Sequence, residues 1–291
     1  MAALGCKIPT TGTLPADVGL ATMGQLAERS GAQSLWVSDH VVLLANAASR
    51  YPYSTDGDPN WAPDVPWLEA FASMAWLAAS TTTATIGSAV LVLPQRNPVV
   101  VAKMAATIDV LSGGRVVLGV GAGWLREEFE VLGWDFATRG RRLEEAMSVL
   151  RACWTGAPPA RDTEFFSLPE GVLCHPTPAQ AQGIPLLVGG MTERAIRRAA
   201  SLGDGWLALV RIDSVDEQSL AAMLDQARAL RAPHSPPFRT AISLIGKIEE
   251  RDLPLLGRMA GLGFDDVLID VGWRDLDAAQ ATIRAAAVAV S

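Results

Sequence analysis

The chain has 291 residues, of which 49% are hydrophobic and 19% are charged, and its formal net charge is −7 at pH 7. This acidic balance argues against nucleic acid or an anionic membrane as a partner, since both attract concentrated positive charge. The chain has three cysteines without a CxxC pair and three separated histidines, so we expect neither a disulfide framework nor a metal site. It lacks a long apolar stretch, and we therefore expect a soluble, cytoplasmic protein.

Short apolar runs alternate with longer amphipathic stretches along the whole chain. The predicted strands are Ala2–Ile8, Ser34–Val37, Ile86–Leu93, Val116–Val120, Pro185–Val188, Trp206–Val210, Thr240–Ile245 and Val267–Asp270. The predicted helices are Ala16–Ser30, Pro66–Ala79, Pro98–Leu111, Arg139–Trp154, Thr192–Leu202, Val215–Leu230, Arg251–Leu262 and Leu276–Val288. Continuously apolar strands are typical of parallel sheets covered by helices. Eight strands alternating with eight helices predict an α/β fold, a (β/α)₈ TIM barrel in one domain over residues 1–291, with an open doubly wound sheet as the alternative.

Two connections are too long for ordinary loops between a strand and a helix. They cover about residues 41–65 and 121–183, and both follow the carboxyl end of a strand. In a barrel that end carries the active site, so we expect insertions at the C-terminal face that act as lids or substrate walls. The candidates for the substrate wall are aromatic side chains in and beside the first insertion: Tyr51, Tyr53, Trp61 and Trp67.

His40 is the first candidate for catalysis. It closes the second strand, where barrel side chains face the site, and histidine exchanges protons near neutral pH. Asp39 either orients His40 or faces a barrel helix, and it is kept as a candidate. His175 and His234 stand next to prolines, so we interpret both as exposed loop residues.

Small residues follow the fourth predicted strand, at Gly121 and Gly123, and precede Trp124. Glycine lets a flat cofactor approach the backbone, and Trp124 offers an aromatic face at the mouth of the site. A tight turn would give the same pattern, and the run is not a GxGxxG dinucleotide fingerprint. Glu127 and Glu128 are interpreted as first-turn helix acids that favour the helix dipole.

The segment Gly189–Thr192 leads from a strand into a helix. Free backbone N–H groups at a helix N-terminus bind anions, and Gly189 and Gly190 would admit a phosphate. Thr192 is a candidate helix cap, and Met191 lies between them. A tight turn with a capping residue would look the same in the sequence.

Several segments taken in order resemble the bacterial luciferase-like monooxygenase superfamily, and within it the oxidoreductases that use the deazaflavin coenzyme F420. These segments are Ser38–His40, Ile86–Val90, Arg96–Pro98, Leu111–Trp124, Arg139–Glu145, Val188–Gly190 and Gly203–Trp206. The resemblance implies a TIM barrel and a homodimer. It also implies that His40 lies beside the flavin or deazaflavin ring.

The resemblance further implies a bulge behind the ring at Ala89 and Val90, joined in related enzymes by a non-prolyl cis peptide. It places the cofactor phosphate at Gly189–Thr192. Some F420-dependent sugar-phosphate dehydrogenases of the superfamily carry an acid at the position that corresponds to Trp124, so that particular activity is not implied for this chain.

We therefore expect a hydride transfer between F420 and a small-molecule substrate. The alternatives are an FMN-dependent monooxygenase that uses oxygen and a barrel that binds a flavin or deazaflavin without turnover. A phosphate-handling lyase or isomerase is disfavoured because no lysine is predicted at the catalytic end of a strand. Lys103 falls in a helix, and Lys247 is assigned to the far end of a strand.

Overall fold

The computed structural model of the protein describes residues 2–232 and 236–291. His234 lies outside the described residues. The strands are β1 (Ala3–Lys7), β2 (Ser34–Val37), β3 (Thr85–Val92), β4 (Val116–Gly121), β5 (Arg161–Asp162), β6 (Ser167–Leu168), β7 (Leu186–Gly189), β8 (Gly205–Arg211), β9 (Arg239–Lys247) and β10 (Asp266–Asp270). The helices are α1 (Leu20–Arg29), α2 (Ala70–Ser80), α3 (Pro98–Ser112), α4 (Arg126–Val131), α5 (Arg139–Cys153), α6 (Glu193–Leu202), α7 (Glu217–Ala229), α8 (Leu253–Gly261) and α9 (Leu276–Ala289).

Eight parallel strands close into a barrel in the order β1-β10-β9-β8-β7-β4-β3-β2. The predicted TIM barrel is therefore confirmed, and the open doubly wound sheet is wrong. The remaining strands, β5 and β6, form a small antiparallel pair within the second insertion. Closure places the carboxyl ends of all eight parallel strands on one face of the barrel, so residues distant in sequence meet at that face.

The barrel interior is filled by packed side chains. Trp36 is fully buried there with Leu187, Leu207 and Leu268, and its indole nitrogen donates to the Ser34 hydroxyl at 2.8 Å. A Cβ atom at Gly87 would come within 2.5 Å of the Trp36 ring, so the absence of a side chain on β3 makes room for the tryptophan. The interior of the barrel is thus closed by packed side chains beneath the strand ends.

The boundaries of the second helix differ from the prediction. The helix begins at Ala70 rather than at Pro66, because Glu69 caps it by accepting a hydrogen bond from the Ala72 N–H at 2.8 Å. Trp67 lies in extended backbone and pairs with Thr11 in an isolated antiparallel bridge. This pairing holds Trp67 over the mouth of the barrel instead of on the helix.

The two insertions lie where the sequence places them, after β2 and after β4. Residues 41–65, all of which are described, contain no helix or strand. The second insertion carries α4, α5 and the β5–β6 pair. Within the described residues, no helix is both long and apolar enough to cross a membrane.

Candidate functional site

A cavity of about 790 Å³ opens at the carboxyl ends of the barrel strands. All of the predicted site residues line it. They are Asp39, His40, Tyr51, Tyr53, Trp61, Trp67, Ala89, Val90, Gly121, Gly123, Trp124, Gly189, Gly190, Met191 and Thr192. The closed barrel therefore gathers these positions into one site, while the role of each residue stays a prediction.

His40 is buried at the end of β2 and is paired with a glutamate from the second insertion. Its Nδ1 atom lies 2.8 Å from Oε2 of Glu128, a residue with no exposed surface. Burial opposes ionisation of this carboxyl, but the hydrogen bond and charge of His40, together with the Gln95 side chain and a hydrogen bond from the Val41 N–H, outweigh burial and lower the pKa of Glu128. The carboxylate fixes the imidazole and leaves Nε2 as the ring nitrogen for a ligand.

Asp39 does not orient His40. Its carboxylate accepts hydrogen bonds from the Arg96 guanidinium at 2.6 Å and from the Val92 N–H at 2.9 Å. Arg96 also pairs with Glu69 at 3.2 Å. Among the described residues Asp39 makes no hydrogen bond to His40, and it pairs with Arg96 and the end of β3 rather than with a barrel helix. Glu128 takes the orienting position. No local sequence motif joins Glu128 to His40, since the two are 88 residues apart.

Aromatic rings surround His40. The ring centroid of Trp67 lies 4.7 Å away, that of Trp124 lies 5.8 Å away and that of Trp61 lies 6.1 Å away. Tyr51 packs on Trp61 at 4.9 Å and on Trp124 at 5.2 Å. Burial raises the pKa of Tyr51 to about 12, so its phenol remains neutral and the wall is uncharged.

The first insertion is tied to α4 by two adjacent glutamates. Oε1 of Glu128 accepts hydrogen bonds from the N–H groups of Val41 and Val42, at 2.6 Å and 3.2 Å. Glu127 accepts from the N–H groups of Ala48 and Ser49, at 2.7 Å and 3.1 Å. The prediction that these acids only favour a helix dipole is thus incomplete. Both carboxylates hold the aromatic wall in place over the cavity.

The floor of the cavity is formed by a bulge in β3. The pairing register of β3 with β4 shifts between Ser88 and Leu91, and the Ala89–Val90 peptide bond is cis. A Cβ atom at Gly121 or at Gly189 would lie 2.6 Å from a methyl group of Val90. These two glycines therefore make room for Val90, and not only for a cofactor as the sequence suggests.

The N-terminus of α6 offers backbone donors to the cavity. The Thr192 side chain caps the helix by accepting from the Ala195 N–H at 3.2 Å, whereas the Gly190 N–H is already donated to Leu207 O, also at 3.2 Å. Among the described residues, the N–H groups of Met191 and Thr192 have no hydrogen-bond acceptor. Free donors at a helix N-terminus suit an anion such as a phosphate.

The Arg139–Arg142 cluster divides between the cavity and the interior. Arg139 lines the cavity and stacks over Phe136, with the guanidinium carbon 3.8 Å from the ring centroid. Burial and the nearby charge of Arg126 lower the pKa of Arg139, and no carboxylate of the described residues forms an ion pair with it. Arg142 is buried, with its guanidinium carbon 3.8 Å from the ring centroid of Trp134.

Sequence reasoning missed the charged ends of three strands. Lys7 closes β1, Lys247 closes β9 and Asp270 closes β10, and all three line the cavity. The statement that no lysine stands at a strand's catalytic end is therefore wrong. The pattern of apolar and polar residues does not predict the position of Lys7 at the cavity, because Lys7 continues an otherwise apolar strand. Within the described residues, no group of three or more His, Cys, Asp or Glu side chains is arranged to hold a metal ion.

A family model described as luciferase-like monooxygenase matches residues 19–250 of the chain. An uncharacterised protein of Mycobacterium tuberculosis is 36% identical over 227 residues, which cover 77% of this chain and 76% of that protein. An F420-dependent glucose-6-phosphate dehydrogenase of Beutenbergia cavernae is 31% identical over 210 residues, which cover 71% of this chain and 56% of that enzyme.

Solved structures with the same fold include enzymes of two cofactor types. An F420-dependent secondary alcohol dehydrogenase in complex with an F420–acetone adduct superposes with a TM-score of 0.76 at 17% identity, over 98% of this chain and 99% of that one. The FMN complex of the oxygenating constituent of 3,6-diketocamphane monooxygenase from Pseudomonas putida gives a TM-score of 0.74 at 12% identity, over 100% and 98% of the two chains. At these identities the likeness shows the fold alone.

Proposed function

The chain belongs to the luciferase-like monooxygenase family, and from that premise we propose that it is an oxidoreductase that transfers a hydride between coenzyme F420 and a small organic substrate. The observation that carries the proposal is one cavity that holds both a buried His40–Glu128 pair and a helix N-terminus with free backbone donors. The choice of F420 is supported by relatives 31% and 32% identical to this chain that are F420-dependent dehydrogenases.

The residues present fit a flat, anionic cofactor. Val90 provides an apolar floor, and the free N–H groups of Met191 and Thr192 suit a phosphate. Arg139, which has no ion pair among the described residues, suits a carboxylate tail. When bound, F420 supplies hydride-transfer chemistry, and the protein supplies position, charge and exclusion of water.

His40 is the residue proposed to exchange a proton with the reacting centre or to hydrogen-bond the ring. Glu128 holds the imidazole by Nδ1, so Nε2 is the atom assigned to this exchange. The rings of Trp61, Trp67 and Trp124 exclude water from the imidazole. Trp124 has no titratable group, so it contributes a surface to the site and no proton.

An FMN-dependent monooxygenase is the second candidate, favoured by the name of the matching family model and by the FMN complex of the same fold. The two candidates differ in their need for oxygen. We expect turnover of reduced F420 with a panel of ketones, aldehydes and unsaturated acids to proceed equally under argon and in air. Turnover that needs both FMN and oxygen would contradict the proposal, and F420 binding without any turnover would favour a non-catalytic barrel.

The homodimer implied by the resemblance is also kept as a proposal. Light scattering coupled to size exclusion tests it directly, since a dimer doubles the mass of the 30.8 kDa chain. A single species at the monomer mass over a tenfold range of concentration would contradict it.

A further inference from the structure

Three adjacent barrel strands end in a charged residue at the cavity. The closing residues are Lys7 of β1, Asp270 of β10 and Lys247 of β9, and β10 lies between the other two strands. Lys247 and Asp270 are paired in the strand register, next to a register shift that follows Leu268. The chain has only three lysines, at positions 7, 103 and 247, and two of them stand in this row.

The two lysines are held without partners. Among the described residues, the ammonium group of neither Lys7 nor Lys247 makes a hydrogen bond or an ion pair within 4.0 Å; Lys247 is exposed, and Asp270 interacts electrostatically with both lysines. Burial lowers the pKa of Lys7, and the charge of Asp270 opposes this effect. An ammonium group has three donors and no acceptor, so a largely buried one favours a ligand with anionic oxygens.

Basic side chains outnumber acidic ones in the lining of the cavity, although the whole chain is acidic. Asp39 is neutralised by Arg96, and Arg198 is paired with Glu144 at 2.8 Å. Three basic side chains, Lys7, Lys247 and Arg139, then face the cavity together with one acidic side chain, Asp270, whose pKa is raised by burial. A negatively charged group is therefore attracted to this cavity.

Lys7 lies on the other side of the barrel from the site suited to a cofactor phosphate, whereas Lys247 lies nearer to that site. The phosphate site follows β7; three strands separate β7 from β1 in either direction around the barrel, but only β8 separates β7 from β9. The strand that Lys7 ends, β1, pairs with β2, and Lys7 is in register with Trp36 of β2. The chain continues from β2 to His40. A group bound by Lys7 thus lies on the His40 side of the cavity, away from α6.

From this placement we propose that Lys7 and Lys247 form a subsite for an anionic oxygen group of the substrate, a carboxylate or a phosphate. Asp270 ends the strand between the two strands that carry the lysines, and it interacts electrostatically with both. The aromatic wall around His40 would hold an apolar body, so the substrate class is an organic acid or phosphate ester with an unsaturated or aromatic portion. This inference rests on the proposed function, because it names the substrate of the same site.

The test uses the protein without cofactor and follows tryptophan fluorescence, since Trp36, Trp61, Trp67 and Trp124 line the cavity. The probes are benzoate, phenyl phosphate and benzamide, the last being a neutral analogue of benzoate. We expect one of the two anions to bind at least about tenfold more tightly than benzamide, and Lys7→Met and Lys247→Met each to lower its affinity about tenfold, as for a lost charge-assisted hydrogen bond. Which anion binds distinguishes the carboxylate from the phosphate.

Lys103→Met is the matched control, because Lys103 is exposed on α3 and does not line the cavity. Equal binding of benzamide and both anions would overturn the subsite. An anion preference that both cavity variants retain would also overturn it, since the anion then binds elsewhere, as at α6.

A second measurement does not depend on substitutions. Reductive ¹³C-methylation labels the three lysines, and we expect the anion to shift the NMR signals of Lys7 and Lys247 but not that of Lys103. Shifts confined to Lys103, or none at saturation, would contradict the proposal. F420 titrations separate the anion subsite from the proposed F420-dependent function. We expect Lys7→Met to bind F420 with unchanged affinity. No F420 binding to the unmodified protein would contradict the proposed function but not the anion subsite.

Discussion

Nδ1 of His40 lies 2.8 Å from Oε2 of Glu128, and this contact joins the end of β2 to the helix that follows β4. The same carboxylate accepts N–H groups from Val41 and Val42, so one buried side chain positions both the imidazole and the start of the first insertion. Both side chains are buried, so rotation of the imidazole would break its hydrogen bond to Glu128 without replacement by water.

Removal of the imidazole should abolish most activity without unfolding the protein. We expect His40→Ala to lower kcat at least about 100-fold, the usual effect of losing a proton-transfer group, with an unchanged circular dichroism spectrum. His175→Ala is the control, since His175 is exposed and does not line the cavity. Near-normal kcat in His40→Ala would assign His40 a structural role only.

The stability of the protein should depend on the ionisation of Glu128 in acid. Its pKa is lowered in the folded protein, so its carboxylate stabilises the fold above the ordinary carboxyl range, and this contribution is lost as the pH falls through the lowered pKa. We expect the free energy of unfolding, from urea titrations, to fall more steeply below about pH 4.3 in the unmodified protein than in Glu128→Gln.

Glu130→Gln provides the comparison on the same helix, because Glu130 is exposed. It should retain the pH dependence of the unmodified protein. Identical pH dependence in all three proteins would mean that Glu128 does not gain stability from its ionised form.

The fold could be predicted from the sequence because closed parallel barrels need continuously apolar strands at regular intervals, and this pattern is local. The positions of His40 and Gly189–Thr192 were predictable for the same reason, since each lies at the carboxyl end of a strand. Glu128 and Lys7 were not, because their significance depends on contacts across the barrel. Glu128 is bonded to a residue 88 positions away, and the place of Lys7 at the cavity depends on the closure of β1 on β10.

Asp39 should prove more important for stability than for chemistry. We expect Asp39→Ala to cost about 2–3 kcal/mol, because it removes the partner of a largely buried guanidinium and an acceptor of the Val92 N–H. The folded variant should keep kcat within about tenfold of normal, far above that of His40→Ala. Loss of kcat as large as in His40→Ala at full stability would instead make Asp39 a catalytic residue.

A side chain at Gly190 should weaken cofactor binding more than it weakens the fold. Gly190 has a φ of 129°, and a Cβ atom there would lie 3.0 Å from that of Ala195 in α6. We expect Gly190→Val to raise the Kd for F420 at least about tenfold by displacing the donors at Met191 and Thr192.

Gly171→Val tests whether backbone strain alone is responsible. Gly171 also has a positive φ, of 82°, but a Cβ atom there would meet nothing within 4 Å. It should lose some stability and keep its F420 affinity. Equal F420 affinity in Gly190→Val and the unmodified protein would remove the phosphate site from α6.

The identity of the cofactor is tested most directly by titrating F420 and FMN in parallel, at low and high salt, with tryptophan fluorescence as the readout. We predict a micromolar Kd for F420, on the order of −8 kcal/mol, that weakens as salt screens its anionic groups. We also predict at least about tenfold weaker binding of FMN, and protein without stoichiometric FMN when it is made in a host that lacks F420. Tight FMN binding with oxygen-dependent turnover and no affinity for F420 would contradict the account.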